Sequence, residues 1–311
     1  MILITGGLGF LGSNLAATLI ERDKVTLVSK GVSKMSNISD IAGKVNIDIL
    51  DITRSDLLRD LVLTYKPDVI FHLAGQLTSY ESFENPLYDV DVNSKTTLVI
   101  LEAIRELKNT CRLILGSTFW VVGKPDKLPV NEETPCKPQN IYAANRLASE
   151  NYCSIYHSVY DLDTVVMRLT NTFGIKEQYA NKKKAALNNL LYMAMKGENI
   201  PIYNKGNFFR DYIYVSDVVS AAEAIMDKGR SGECYFVGTG IKTWFYDIGK
   251  WLNELTGCTT VNVNPPEYHK RIDVGNIVVD NNKLKGLGWD YKVSVKEGLI
   301  KTLDYYKECN L

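Results

Sequence analysis

The stretch Ile2-Leu3-Ile4-Thr5-Gly6-Gly7-Leu8-Gly9-Phe10-Leu11-Gly12-Ser13-Asn14-Leu15 decides how the rest of the chain is read. A short apolar strand passes through spaced glycines into an amphipathic run from Leu11 to Ile20. That order suits a dinucleotide pyrophosphate. Gly6 permits a tight turn, Gly9 lets the backbone approach the phosphates, and Gly12 lets the helix pack close to the strand. The N–H groups at the helix N-terminus then face the negative charge. A glycine triplet alone is a weak signal; the strand before it and the helix after it supply the context.

Composition bounds the rest. At 311 residues and 45% hydrophobic, the chain can bury a large core as one big domain or two unequal ones. A formal net charge of zero leaves no global electrostatic case for nucleic acid or a membrane surface as partner. No run approaches the roughly 18 apolar residues that a membrane span requires. Six scattered cysteines without a CxxC pair read as reduced thiols, and an opening strand in place of a targeting peptide points to the cytoplasm. The three histidines, His72, His157 and His269, lie far apart and predict no metal site.

Through the first half, strand candidates alternate with helical patterns. Strands fit residues 2–5, 25–29, 45–48, 69–73, 112–116 and 164–169; helices fit 11–20, 55–65, 88–107 and 142–160. Strict alternation with short apolar strands predicts an α/β fold, a doubly wound parallel sheet of the Rossmann type, with ligands at the carboxyl ends of the strands. After about residue 172 the rhythm breaks. The expected division is a dinucleotide-binding domain over residues 1–172 and a smaller lobe, mainly substrate-binding, over 173–311, with some segments returning to the sheet.

A second constellation is Gly116-Ser117-Thr118, followed 24 positions later by Tyr142-Ala143-Ala144-Asn145-Arg146. A phenol near a hydroxyl, with a cation one helical turn along, can move a proton to or from an alcohol. Arg146 at i+4 shares the helix face of Tyr142 and favours the phenolate form. The Thr118 hydroxyl can hold the substrate oxygen in line, and a nicotinamide can take the hydride.

Here the chain resembles the extended short-chain dehydrogenase/reductase family that acts on nucleotide sugars, of the epimerase/dehydrogenase type. The resemblance runs over nearly the whole length. It is carried by Thr5 to Gly12, His72-Leu73-Ala74-Gly75, Asn93, Gly116-Ser117-Thr118 with Gly123, the Tyr142 motif, Arg168 to Gly174, and Arg210-Asp211-Tyr212-Ile213. It implies Tyr142 as catalytic acid/base with Thr118 as hydroxyl partner and Arg146 beside them. Gly6, Gly9, Phe10, Leu11, Gly12, Leu73, Ala74 and Gly75 would line the cofactor, with Ser29, Lys30, Asp51 and Ile52 at its adenosine end. Asn171 and Arg210 would hold the diphosphate of the sugar nucleotide. Tyr203 would lie against its base, Leu187 would join them, and Arg271 (or Lys270) would add a second cation.

Two departures stand out. Where the family has lysine this chain has Arg146, which keeps the charge but whose planar head is not interchangeable with an ammonium. At the end of the second strand Ser29 stands where NAD-binding folds usually carry an acid, and Lys30 or Lys34 could attract a 2′-phosphate. Members that retain their cofactor through an oxidation commonly use NAD, which is the cofactor expected, with NADP left open. The 4,6-dehydratases of the family carry an Asp-Glu pair after the catalytic Ser or Thr; here Phe119 and Trp120 occupy those places and cannot move protons.

The reading is thus hydride removal from the C4 hydroxyl of a nucleotide sugar, giving a 4-keto sugar, as in 4-dehydrogenases of surface-polysaccharide pathways. Its alternatives are a 4-epimerase, a 4-ketoreductase and, least favoured, a non-catalytic cofactor sensor. His72 is expected to pack in the sheet, and Lys182 to Lys184 to form a solvated loop. The 142–160 helix, whose Tyr152, Tyr156 and Tyr160 are expected to make a packing or subunit face, and the 93–107 helix, with Leu98, Leu101, Ile104 and Leu107 roughly on one face, are the pair that the resemblance implies to build a homodimer.

Overall fold

The computed structural model describes residues 1–108, 111–179, 186–265, 267 and 272–309. In chain order its strands are β1 Ile2–Thr5, β2 Val25–Ser29, β3 Asn46–Ile49, β4 Val69–His72, β5 Arg112–Thr118, β6 Thr164–Leu169, β7 Asn171–Phe173, β8 Ile200–Tyr203, β9 Phe209–Arg210, β10 Tyr212–Tyr214, β11 Cys234–Val237, β12 Thr243–Trp244 and β13 Thr260–Val263. The helices are α1 Phe10–Leu19, α2 Ser55–Tyr65, α3 Ser79–Glu84, α4 Pro86–Val90, α5 Thr96–Glu106, α6 Ile141–Tyr160, α7 Ala186–Met195, α8 Val215–Lys228, α9 Phe245–Thr256, α10 Asn282–Lys285 and α11 Val295–Glu308.

Seven strands form one parallel sheet in the order β3-β2-β1-β4-β5-β6-β11. The chain reverses its direction of winding between β1 and β4, which is where an open α/β sheet leaves a crevice. Alternation across the pleat separates two cores. Ile2, Ile4, Leu27, Phe71, Ile114 and Met167 face Leu15 and Leu19 of α1 and Val218 and Ile225 of α8. Leu3, Val28, Ile70, Leu113 and Leu115 face Leu58 and Val62 of α2, Ile100, Leu101 and Ile104 of α5, and Cys153 of α6. The later part of the chain builds a third core from Phe173, Leu187, Leu191, Ile200, Ile248, Leu252 and Leu299. Because β11 is the edge strand of the large sheet and α8 packs on one of its faces, segments after residue 173 serve both the sheet and the third core.

Most element ends fall within two residues of the sequence reading, and 55–65 and 164–169 coincide with α2 and β6. The expected 88–107 helix runs from Pro86 to Glu106, with a π-helical turn over Asp91–Lys95 set between α4 and α5. Leu101 and Ile104 are completely buried inside the second core, so they cannot be a subunit face as expected. Tyr152 and Tyr156 make the packing face that their spacing suggests, lying against the second core, and the Tyr156 hydroxyl donates to Glu102 of the neighbouring α5.

A buried ion pair holds the carboxyl end of β5. Arg168 of β6 donates to Glu150 of α6, Nη2 to Oε2 at 2.7 Å and Nε to Oε2 at 3.0 Å. The same carboxylate accepts from Ser117 of β5, and Arg168 also reaches Cys136 Sγ at 3.3 Å. Removing one charge strands the other away from water. Glu150→Leu is expected to destabilise the protein by about 3–5 kcal/mol in urea unfolding, and Glu150→Leu with Arg168→Met to recover most of that. A loss below about 1 kcal/mol for the single variant would show the pair to be expendable.

Candidate active site

The glycine turn is as tight as its residues foretell. Gly6 has φ +72° and Gly9 N–H donates to Gly6 O at 2.9 Å. A side chain at Gly12 would collide with Gly6 O, and one at Gly9 would sit 2.9 Å from the same oxygen. Thr5 Oγ1 accepts from Ala74 N–H at 3.2 Å and pairs with His72 Nδ1 at 2.7 Å, tying the ends of β1 and β4 together. His72 also meets Thr96 at 3.1 Å, and burial, aided by the Arg146 charge, pushes its imidazole down to about 3. It is therefore neutral and structural, as expected of a residue packed in the sheet.

Asn140 caps α6, accepting from Ala143 N–H at 2.8 Å, and this cap places Tyr142 in the first turn. One turn on, the Arg146 guanidinium lies 5.8 Å from the Tyr142 ring centroid. Its side chain is almost wholly buried, with 2% of its surface exposed. Nη1 donates to Gly116 O at 3.1 Å and Nη2 to Ala74 O at 3.4 Å, so the fork spans the carboxyl ends of β5 and β4. A side chain at Gly75 would run into Arg146 Nη2 and Asn93 Oδ1, which explains the glycine there.

Near the arginine lies a buried carboxyl that the sequence reading missed. Asp89 of α4 is fully buried and accepts from Asn145 Nδ2 at 2.6 Å. Burial lifts its carboxyl, while Asn145, Asn93 and the Arg146 charge pull it back. Asn93, set in the π turn, donates to Gln76 O at 3.1 Å and accepts from Ser149 at its backbone oxygen at 2.6 Å. No local pattern marks Asp89 as buried, since its neighbours Leu87 and Val90 are exposed.

Thr118, Tyr142, Asn171 and Leu187 line one cavity of about 240 Å³, with Phe119, Trp120, Tyr212 and Glu177. Thr118 Oγ1 accepts from Trp120 N–H at 3.3 Å at the end of β5. Asn171 opens β7, pairs with Tyr212 of β10, and donates to Asp211 O at 3.0 Å. Asp211 in turn accepts from Thr239 N–H and Oγ1 and from Gly240 N–H, at 2.9, 2.8 and 2.9 Å, anchoring this wall to the loop after β11. Glu177 is a site residue the sequence reading did not name, though it follows Gly174 by three positions.

Other expected residues stand apart from this cavity. Arg210 of β9 donates to Asp273 at 2.6 Å and to Phe209 O at 3.1 Å, and its guanidinium lies over the Phe208 ring. Tyr203 closes β8, beside Val263 of β13. Arg271, Lys270 and Lys182 to Lys184 lie outside the described residues. At the other end of the crevice Ser29 donates to Gly31 O at 2.9 Å, and Lys30 pairs with Asp51 at 3.0 Å and with the Tyr88 hydroxyl at 3.2 Å. Asp51 also accepts from Thr53 N–H at 3.1 Å, and Ile52 beside it is buried.

Residues 3–302 match the model of the family described as GDP-mannose 4,6 dehydratase. A putative UDP-glucose 4-epimerase of Methanocaldococcus jannaschii is 30% identical over 313 residues, covering 100% of this chain and 99% of its own. The crystal structure of the Thermotoga maritima UDP-glucose 4-epimerase with UDP-glucose superposes with a TM-score of 0.92 at 29% identity, over 100% of this chain and 99% of the other. The Thermus thermophilus UDP-glucose 4-epimerase complexed with NAD gives 0.87 at 26% identity, over 98% of each chain. With its doubly wound sheet, glycine turn and Tyr142 motif, the chain belongs to the GDP-mannose 4,6-dehydratase family, the nucleotide-sugar epimerase and dehydratase branch of the extended short-chain dehydrogenases.

Proposed function

We propose that the protein is an oxidoreductase that removes hydride from the C4 hydroxyl of a nucleotide-activated sugar, leaving a 4-keto sugar. One observation carries this reading: Thr118, Tyr142, Asn171 and Leu187 converge on a single cavity at the carboxyl ends of the central strands. Tyr142 takes the hydroxyl proton, Thr118 Oγ1 orients the reacting oxygen, and Arg146 supplies a fixed cation beside the phenol ring. NAD, when bound, accepts the hydride. Its fit rests on the chain's own geometry: the turn that no side chain can enter at Gly9 or Gly12 leaves backbone N–H groups open to a pyrophosphate.

The adenosine end favours NAD over NADP. Lys30, one of the two lysines that could attract a 2′-phosphate, is already paired with Asp51 at 3.0 Å. NAD is therefore expected to bind at least about tenfold more tightly than NADP in calorimetric titration. Tighter NADP binding would refute that choice.

A second reading, with the hydride returned to the opposite face as in a 4-epimerase, is favoured by the UDP-glucose 4-epimerases among its relatives. Elimination of water is disfavoured by side chains: Phe119 and Trp120 follow Thr118, their rings 5.5 Å apart, and neither exchanges protons. Absorbance near about 340 nm on adding nucleotide sugars separates the two, since net dehydrogenation accumulates reduced cofactor and epimerisation does not. Tyr142→Phe is expected to lower turnover about 10²–10⁴-fold in either case, and near-normal turnover would remove Tyr142 from its role.

The same reading includes a homodimer. Leu87 and Val90 of α4 and Ile155 and Val159 of α6 are exposed, Leu87 to 78% and Val159 to 61%. An apolar surface of this kind on two helices suits an isologous contact. Sedimentation should give twice the 35.0 kDa chain mass, and a monomer at micromolar concentration would reject the assembly.

A further inference from the structure

Trp120 stands two residues past Thr118 and lines the same cavity as Thr118 and Tyr142. The turn that carries it is held at both ends. β5 finishes at Thr118, and a 3-10 turn over Phe119–Val122 follows, opened by the Trp120 N–H donating to Thr118 Oγ1 at 3.3 Å. It closes on Gly123, whose φ is +67° and where a side chain would run into Lys137 O. Gly123 N–H donates back to Trp120 O at 3.1 Å, and Lys137 N–H donates to Val122 O at 3.3 Å.

A small apolar core supports this turn. Phe119, Val121 and Val122 are buried in it with Val130, Phe236 and Ile277. Trp120 packs against the same cluster yet is only partly buried, its ring centroid 5.5 Å from that of Phe119 at a tilt of 38°. The indole is thus a flat apolar group on a fixed base with part of its surface given to the cavity. Leu77, Leu169 and Leu187 line that cavity too.

The cavity is sized for part of a ligand. At about 240 Å³ it falls below the roughly 300–1,000 Å³ of pockets that take a whole drug-sized molecule. Tyr142 and Thr118 act at a sugar hydroxyl, so the sugar is the part that must enter. A hexose carries its hydroxyls around a rim, and its ring C–H groups form an apolar face. An aromatic face receives such a surface by burying apolar area and through weak C–H contacts to the ring.

On the reading of this cavity as the site where a nucleotide sugar reacts, we propose that Trp120 is the specificity-determining residue of the sugar subsite, the hexose laying a C–H face on the indole. Hydrogen bonds to hydroxyls can be met at several tilts of a sugar ring, and a flat partner selects among them. Because the Trp120 backbone bonds to the hydroxyl that orients the reacting oxygen, indole and reacting group keep one spacing. A bare nucleoside diphosphate gains nothing from this contact.

The test is calorimetric titration of the full-length protein with UDP, dTDP and GDP, each bare and each carrying glucose, galactose or mannose. Wild type should bind at least one conjugate more tightly than its bare diphosphate. Trp120→Ala should weaken that conjugate about tenfold and leave the bare diphosphate unchanged. Trp120→Leu, which keeps apolar bulk without a ring face, should lose nearly as much, whereas Trp120→Phe should stay within about threefold of wild type. Unfolding temperatures are compared alongside, and the Leu and Phe variants decide the matter if the Ala variant does not fold. Equal conjugate affinity in the Leu and Phe variants, an equal loss for bare diphosphate and conjugate, or no gain from any hexose in wild type would overturn the assignment and leave Tyr142 and Thr118 in their roles. Failure of wild type to bind any bare diphosphate or conjugate would overturn the nucleotide-sugar reading, and this inference with it.

Discussion

The close approach of the backbone between β1 and α1 is the constraint on which the rest of the molecule depends. Gly12 lies against Gly6 O so tightly that a single added carbon collides. This lets α1 start directly over the end of β1, and its first turn then faces the crevice at the reversal of sheet winding. The ends of β1 and β4 are joined through Thr5 and His72, and those of β4 and β5 through the arginine fork. Each link fixes the next strand end relative to the glycine turn.

Charge is handled differently on the two sides of β5. Behind the strand, Glu150 and Arg168 meet directly and satisfy one another. In front, the Arg146 fork bonds to the carbonyl oxygens of Gly116 and Ala74, and its charge is felt by the buried Asp89 carboxyl. The guanidinium lies 5.8 Å from the centroid of the Tyr142 ring. Arginine suits that arrangement better than lysine, because its planar fork can hold two carbonyls at once and does not lose its proton when buried.

Much of this was legible locally. The period of the apolar residues located six of the seven strands of the sheet and missed β11, and the i,i+4 spacing brought Tyr142 and Arg146 to one helix face. What escaped the sequence depends on contacts between distant segments. Leu98 to Leu107 has an apolar stripe, but pattern alone does not say whether α2 or a second subunit covers it; α2 does for Leu101 and Ile104. Asp89 looks like an ordinary surface acid in sequence, and only the packing of α4 against α6 makes it internal. Arg210 illustrates the reverse, an arginine in a suggestive motif that here spends its fork on Asp273.

The π turn at Asp91–Lys95 has a consequence for how this protein can vary. It accommodates one residue more than an α-helical path between the same two points would need. Loss of one residue there would close the segment into plain α-helix between the same two ends and leave the later positions of α5 where they are. Ile100 and Ile104 would keep their places in the core. The chain can therefore shed a residue inside this turn more readily than in the α-helical turns on either side of it, where a deletion would turn every later position by about 100° about the axis.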